Sequence, residues 1–192
     1  ETEAMWISKT GAITEFPYKN QLALTQDAWL IDNKKNGFYV PAGQTISISR
    51  TEQLSKHQKD GSDTSGKFTT AWIDHGKAPK DGTYQYAVLV DTDENQMAEF
   101  AALMEVQDKA PYNILQQNQM GHIVHDRATG ITGYALFEAS ESIDKGIVRG
   151  VDTPSMVMSR MDGEKLFLSA VDPDLRLYEG LEEDQYDENG VQ

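Results

Sequence analysis

The sequence predicts a mainly β protein, an antiparallel β-sandwich with one short helix. Two features carry that reading. Short runs rich in Val, Ile, Thr, Tyr and Phe recur between Gly, Pro and polar turns, and only one stretch has apolar residues at helical spacing. In chain order, GFYV stops at Pro41, and TISISR at residues 45–50 sets Ile46 and Ile48 against Ser47 and Ser49. FTTAWIDHG at residues 68–76 is dense in β-formers. YQYAVLV at residues 84–90 puts Tyr84, Tyr86, Val88 and Val90 on one face and Gln85, Ala87 and Leu89 on the other, so both faces are expected to be at least partly covered.

The helix is expected over residues 93–105. Met97, Phe100, Ala101 and Met104 share a side, and Gln96 stands three residues after Asp93 as in a capping box. Two hairpins follow. DRATG, with Gly130 free to take positive φ, separates HIVH from ITGYALF, and MDGE separates SMVMSR from KLFLSAV. Polar segments at residues 51–67 and 138–150 are expected to be long loops. The expected division is a β-sandwich segment over residues 1–180 and an acidic tail or truncated connection over residues 181–192. Six acids without a Lys or Arg crowd the last fourteen residues, and removing residues 181–192 is expected to change stability little.

The 192 residues carry 31 acidic and 17 basic side chains, a net charge of -14. Such a surface repels phosphate backbones, so nucleic acid is not expected as a partner. No apolar run reaches the length of a membrane span, and membrane is not expected either. The absence of Cys excludes disulfides, thiol nucleophiles and thiolate metal sites. The chain opens on Glu1 without a signal segment, which reads as part of a longer or processed polypeptide.

Candidate chemistry is sparse. His122 and His125 would share a face on a helix, but on a strand their odd separation sends them apart, so no metal site is expected there. DTDEN at residues 91–95 begins like a calcium loop, yet Gln96 stands where Gly is needed and Ala102 where Glu is needed; a solvated helix start fits better. His75 beside Asp74 has no accompanying nucleophilic serine, and a structural use is expected. Lys77, Lys80 and Arg149 are candidates to meet an anionic sugar, and Trp6, Trp29 and Trp72 to stack on one. Single Trp residues on strands are more often core anchors, so Trp72 is expected to be substantially buried and Trp29 partly so. Replacing Trp72 by Ala is then expected to cost on the order of 3 to 5 kcal/mol.

AWIDHGKAPKDGTYQYAVLVD at residues 71–91 resembles the β-sandwich region of polysaccharide lyase family 8, through an HG pair, a Pro-Lys-Asp segment, Tyr-x-Tyr and an aliphatic run. His75, Gly76, Pro79, Lys80, Tyr84 and Tyr86 fill those places. DAWLIDNKKNGFYVP at residues 27–41 and PSMVMSRMDGEKLFLSAVDPDLRL at residues 154–177 are similar to flanking parts of the same region, and within the family the resemblance leans to the chondroitin sulfate ABC lyases.

The resemblance implies a segment of a lyase super-sandwich, part of a secreted or periplasmic enzyme. Such enzymes cleave chondroitin sulfate, dermatan sulfate or hyaluronan by β-elimination at uronic acid. In this family Tyr, His and Arg of an α-helical toroid neutralise the uronate, remove the C5 proton and protonate the leaving oxygen. No part of this chain resembles the toroid. The resemblance therefore implies no catalytic residue, no metal and no cofactor here, and no substrate-binding residue is assigned. The expected partner is the remainder of the parent lyase chain, with the polysaccharide engaged only indirectly. A missing strand after the DP-x-L motif is expected to leave a sheet edge that pairs with the parent, dimerises or stays exposed. The alternative is a free-standing carbohydrate-binding module; buried Trp29 and Trp72 favour the scaffold, coplanar exposed rings the module.

Overall fold

The computed structural model describes residues 5–8 and 10–173. These are mainly β, in three antiparallel sheets with one helix. The chain separates into two compact units, Glu1–Lys109 and Ala110–Gln192, and each is described by itself. Expectations about residues 181–192 lie outside the described residues.

The first unit begins with β1 (Met5–Ile7), β2 (Gly11–Ile13), β3 (Tyr18–Ala23), β4 (Ala28–Ile31) and β5 (Gly37–Val40). It continues with β6 (Thr45–Lys56), β7 (Asp63–Ile73), β8 (Ala87–Leu89) and α1 (Glu94–Met104). One sheet has the order β2-β1-β4-β5-β8 and the other β3-β6-β7. The two face each other across a core of Met5, Ile7, Ile13, Leu30, Val40, Ile46 and Ile48. On the other side of the first sheet, Ile31 and Tyr39 bury against Met97 of α1, with Phe100, Ala101 and Met104 beside them. The β4–β5 hairpin is thus covered on both faces, which is why AWLI and GFYV are apolar without alternation.

Sequence explains the helix directly. Asp93 accepts from the Gln96 N–H at 2.9 Å, and the Gln96 side chain accepts from the Asp93 N–H at 3.0 Å, closing the capping box. Tyr39 meets Phe100 edge to face, with ring centroids 5.4 Å apart. Gly37 has no side chain because the space is taken: a Cβ there would stand 2.3 Å from the Met97 sulfur and 2.6 Å from the Thr92 methyl.

The second unit is an antiparallel meander of β9 (Tyr112–Asn118), β10 (Gly121–Asp126), β11 (Thr132–Leu136), β12 (Ser155–Asp162) and β13 (Lys165–Val171), paired in sequence order. Both predicted hairpins are present, turning at Gly130 and Gly163 with φ of 69° and 60°. The predicted loop at residues 138–150 folds over one sheet face, where Ile143 and Val148 join Ile123, Tyr134, Leu136 and Val157. The Tyr134 hydroxyl accepts from the Ile147 N–H at 2.8 Å, and a Cβ on Gly146 would lie 2.0 Å from that hydroxyl.

The structure corrects two expected elements. Residues 51–67 are not a loop: β6 runs to Lys56 and β7 starts at Asp63, leaving only residues 57–62 as the turn. Beyond the core this hairpin is a two-stranded ribbon, and its residues 52–65 are exposed on both sides, so no apolar alternation advertises it. An ion pair of Lys56 with Asp63 and the Asp60 side chain, accepting from the Ser62 N–H at 3.0 Å, hold its end. Residues 84–90 form a strand only over Ala87–Leu89, because β5 pairs with no more than those three residues.

Gly37→Ala is expected to destabilise the first unit by about 1 to 3 kcal/mol, since the new methyl must displace the fully buried Met97. Urea denaturation followed by tryptophan fluorescence measures it; an unchanged midpoint would mean α1 is not seated on β5 as described.

Candidate functional site

The segment that connects β7 to β8 is the most unusual backbone of the first unit. Asp74 ends the β6 pairing by donating its N–H to the Thr45 carbonyl at 2.8 Å. Its carboxylate accepts from the Gln21 side chain at 3.0 Å and from the Gly76 N–H at 2.8 Å, so Asp74 anchors the loop and is not a catalytic partner of His75. Gly76, Ala78 and Asp81 all have positive φ, at 70°, 48° and 52°. For the two non-glycine residues this is a strained conformation that only surrounding contacts maintain.

Gln44 then clamps the far end. Its side-chain oxygen accepts from the Gln85 N–H at 3.0 Å and its amide donates to the Gln85 carbonyl at 2.8 Å, replacing a missing strand partner. With Gln85 held inward, Tyr84 and Tyr86 project together, their rings 6.3 Å apart and 15° from parallel, and His75 lies 5.9 Å from Tyr84.

These rings line the mouth of the sandwich. Val88 stands directly opposite Phe38, which packs on the core shared with the second sheet, so the Tyr84–Val88 side looks inward between the sheets. On the facing wall, Thr69, Ala71 and Ile73 of β7 oppose Arg50, Ile48 and Ile46. Between the walls is a cleft of about 600 Å³ lined also by Asp32, Phe38 and Val40. Tyr84, Tyr86 and Val88 remain 57%, 52% and 48% exposed, so their face of residues 84–90 is partly covered, and the Ala87 and Leu89 side, against α1, is covered further.

Trp72 is also corrected: it is 47% exposed. It pairs with Ser47, one step out of phase with Ile46 and Ile48, and therefore lies on the outer face of β7. Trp29 packs on the α1 side of the first sheet and is half-buried. The two rings point away from different sheets and make no joint platform. Lys77 and Lys80 are exposed beside the mouth and form no ion pair among the described residues; Arg149 is exposed on the loop of the second unit.

The remaining candidates stay separate. His122 is exposed and meets Phe137 edge to face, whereas the His125 ring is 3.0 Å from the Thr132 hydroxyl. No group of His, Asp and Glu among the described residues is arranged to hold a metal ion. Asp93 of DTDEN caps α1, and no described helix is long and apolar enough to cross a membrane.

Two contributors to the mouth were not singled out from the sequence. Asp32 had a local signal, the DNKKNG turn, and Gln44 had none because its partner lies 41 residues away. Burial pushes the Asp32 carboxyl up, but bonds from the Asn36 side chain and from the Asn36 and Lys34 N–H groups outweigh it and hold it below its ordinary 3.8.

Polysaccharide lyase family 8, super-sandwich domain, matches residues 3–101. The chain belongs to this lyase family. Its relatives include a chondroitin sulfate ABC endolyase of Proteus vulgaris, 35% identical over 173 residues, which are 90% of this chain and 16% of the relative. A chondroitin sulfate ABC exolyase of Bacteroides thetaiotaomicron is 37% identical over 192 residues, 99% of this chain and 18% of the relative. The family 8 chain thus spans less than a fifth of these relatives. Among solved structures, a chondroitinase AC lyase superposes with a TM-score of 0.72 at 19% identity, over 89% of this chain and 25% of the other. A Paenibacillus xanthan lyase gives 0.71 at 19% identity, over 90% and 17%.

Asp32 has a folded-state pKa below the unfolded one, so its contribution to stability is complete above the unfolded value and is lost as pH falls through the folded value. Asp32→Asn is therefore expected to lower stability near neutrality and to converge on the parent chain only as pH falls through the folded value, below 3.8. Urea midpoints across that range measure it; a constant gap between the two proteins would remove the carboxylate from the account.

Proposed function

We propose that this chain is a non-catalytic β-sandwich portion of a secreted or periplasmic lyase that cleaves chondroitin sulfate, dermatan sulfate or hyaluronan by β-elimination at uronic acid. In that role it supports the catalytic toroid supplied by the rest of the polypeptide. The observation that carries this is the lining of the cleft at the mouth of the sandwich. Elimination needs a positioned base, an acid and a neutraliser of the uronate around one reacting carbon. The mouth offers Asp32, already committed to three donors, and His75, Tyr84 and Tyr86 beside an apolar wall, with no Arg or Lys among its lining residues to neutralise the uronate. His122, His125 and Arg149 sit in the other compact unit. No catalytic, metal or cofactor residue is assigned, and localisation rests on the same reading.

The exposed, near-parallel Tyr84 and Tyr86 rings favour a second reading, a free-standing carbohydrate-binding module. The divergent placement of Trp29 and Trp72 speaks against it, since those two rings do not share a face.

The isolated chain is expected to release no unsaturated uronate above background from chondroitin sulfate or hyaluronan, followed by ultraviolet absorbance. Sustained product formation by material free of other lyases would place a catalytic centre within these residues and sink the proposal.

A further inference from the structure

The long outer edge of β7 and the cleft beneath it form one surface with a single kind of occupant in view. The Asp74 N–H bonds the Thr45 carbonyl, and the β6–β7 register is regular from there to Lys56 and Asp63. In an antiparallel ladder, bonded residues alternate, so the amides of Thr69, Ala71 and Ile73 point outward to the free edge. Among the described residues no strand pairs with that edge. The same three residues turn their side chains into the cleft, where Phe38, Tyr84 and Tyr86 form the opposite wall.

This edge lacks the devices that keep a free edge solitary. Residues 68–73, FTTAWI, contain no charge and no Pro, and they form a regular stretch without a bulge. An apolar cleft of about 600 Å³ opening beside such an edge matches a strand with alternating apolar residues better than a polar ligand. An added strand would bond the outward amides and place every second side chain between Ala71 and Tyr86, closing the sandwich. The relatives supply the source: this chain spans 16% to 18% of their length, so most of a family 8 polypeptide lies outside it.

We infer that the β7 edge and the mouth of the sandwich are the docking surface for an extended strand contributed by the remainder of the lyase polypeptide. This rests on the reading of the chain as part of a longer lyase, and it fixes where the parent chain engages it. The strained loop and the Gln44–Gln85 clamp hold one wall of that surface open, and the Ile46–Ile73 pairing holds the other. Asp32 and the uncharged wall of β7 do not complement an anionic sugar, and the exposed Lys77 and Lys80 stand beside the mouth, outside its lining.

Hydrogen exchange tests the inference by comparing the 192-residue chain with a full-length lyase polypeptide that contains it. The amides of Thr69, Ala71 and Ile73 are expected to exchange at least about 100-fold more slowly in the longer polypeptide. Ala71→Lys, which puts a charge into the mouth, is expected to leave the short chain's melting temperature nearly unchanged and to lower that of the longer one. Equal exchange in both, or equal effects of the lysine in both, would overturn the inference. So would slowing in the short chain that depends on its own concentration, which assigns the edge to a second copy. Slowing on addition of a chondroitin tetrasaccharide assigns the mouth to glycan and overturns it as well. Activity of the longer polypeptide on chondroitin sulfate is measured in parallel, so failure of the lyase reading and failure of the docking surface are separately visible.

Discussion

The β4–β5 hairpin is the element on which the first unit is assembled. Leu30 and Val40 face the second sheet, while Ile31 and Tyr39 face α1, and both sets are nearly inaccessible to water. Burying each such side chain is worth roughly 1.5 to 3 kcal/mol, so eight residues of hairpin supply a large part of what orders two neighbouring layers. Double coverage also explains Gly37. The helix approaches so closely that Met97 occupies the volume of the missing side chain, and the glycine is a packing requirement with no demand on φ.

Layering imposes a polarity on everything attached to the hairpin. β8 extends the first sheet, so Ala87 and Leu89 inherit the α1 side and Val88 inherits the side of Phe38. Among the described residues the second sheet is three strands wide, with β6 in the middle and β7 at its rim. Tyr84, Tyr86 and Val88 therefore face a wall that does not reach across to them. Among the described residues the open mouth follows from unequal sheet widths, five strands against three, with the Gln44–Gln85 clamp fixing the position of one wall.

What the sequence disclosed and what it concealed follow the range of the interactions involved. The capping box at Asp93 and Gln96, and the glycine turns at 130 and 163, are complete within a few residues and were legible. The ribbon beyond Thr51 was not, because its residues bury nothing and only a pairing partner defines them as strands. Trp72 failed for a related reason. Alternation predicts that neighbours on β7 face opposite ways, but only the register against Ile46 and Ile48 says which set faces the core. The mouth needed both the Val88–Phe38 opposition and the Gln44–Gln85 clamp, contacts across 50 and 41 residues that leave no local pattern.

Charge and protonation decide how the mouth should be regarded chemically. A general base works best when its pKa lies near the working pH, which for a carboxylate demands burial without compensating donors. Asp32 has the opposite environment: donors from Lys34 and Asn36 stabilise its ionised form and hold its pKa down. The same bonds tie the turn that joins β4 to β5, so the carboxylate fixes the shape of the hairpin at the edge of the cleft. Asp74 is likewise spent on Gln21 and Gly76 at the opposite corner. Both acids at the mouth thus serve the backbone that frames it. The framed surface is a strand edge that no other described strand pairs with, set beside apolar and aromatic walls, and a surface of that kind suits main-chain hydrogen bonding and packing.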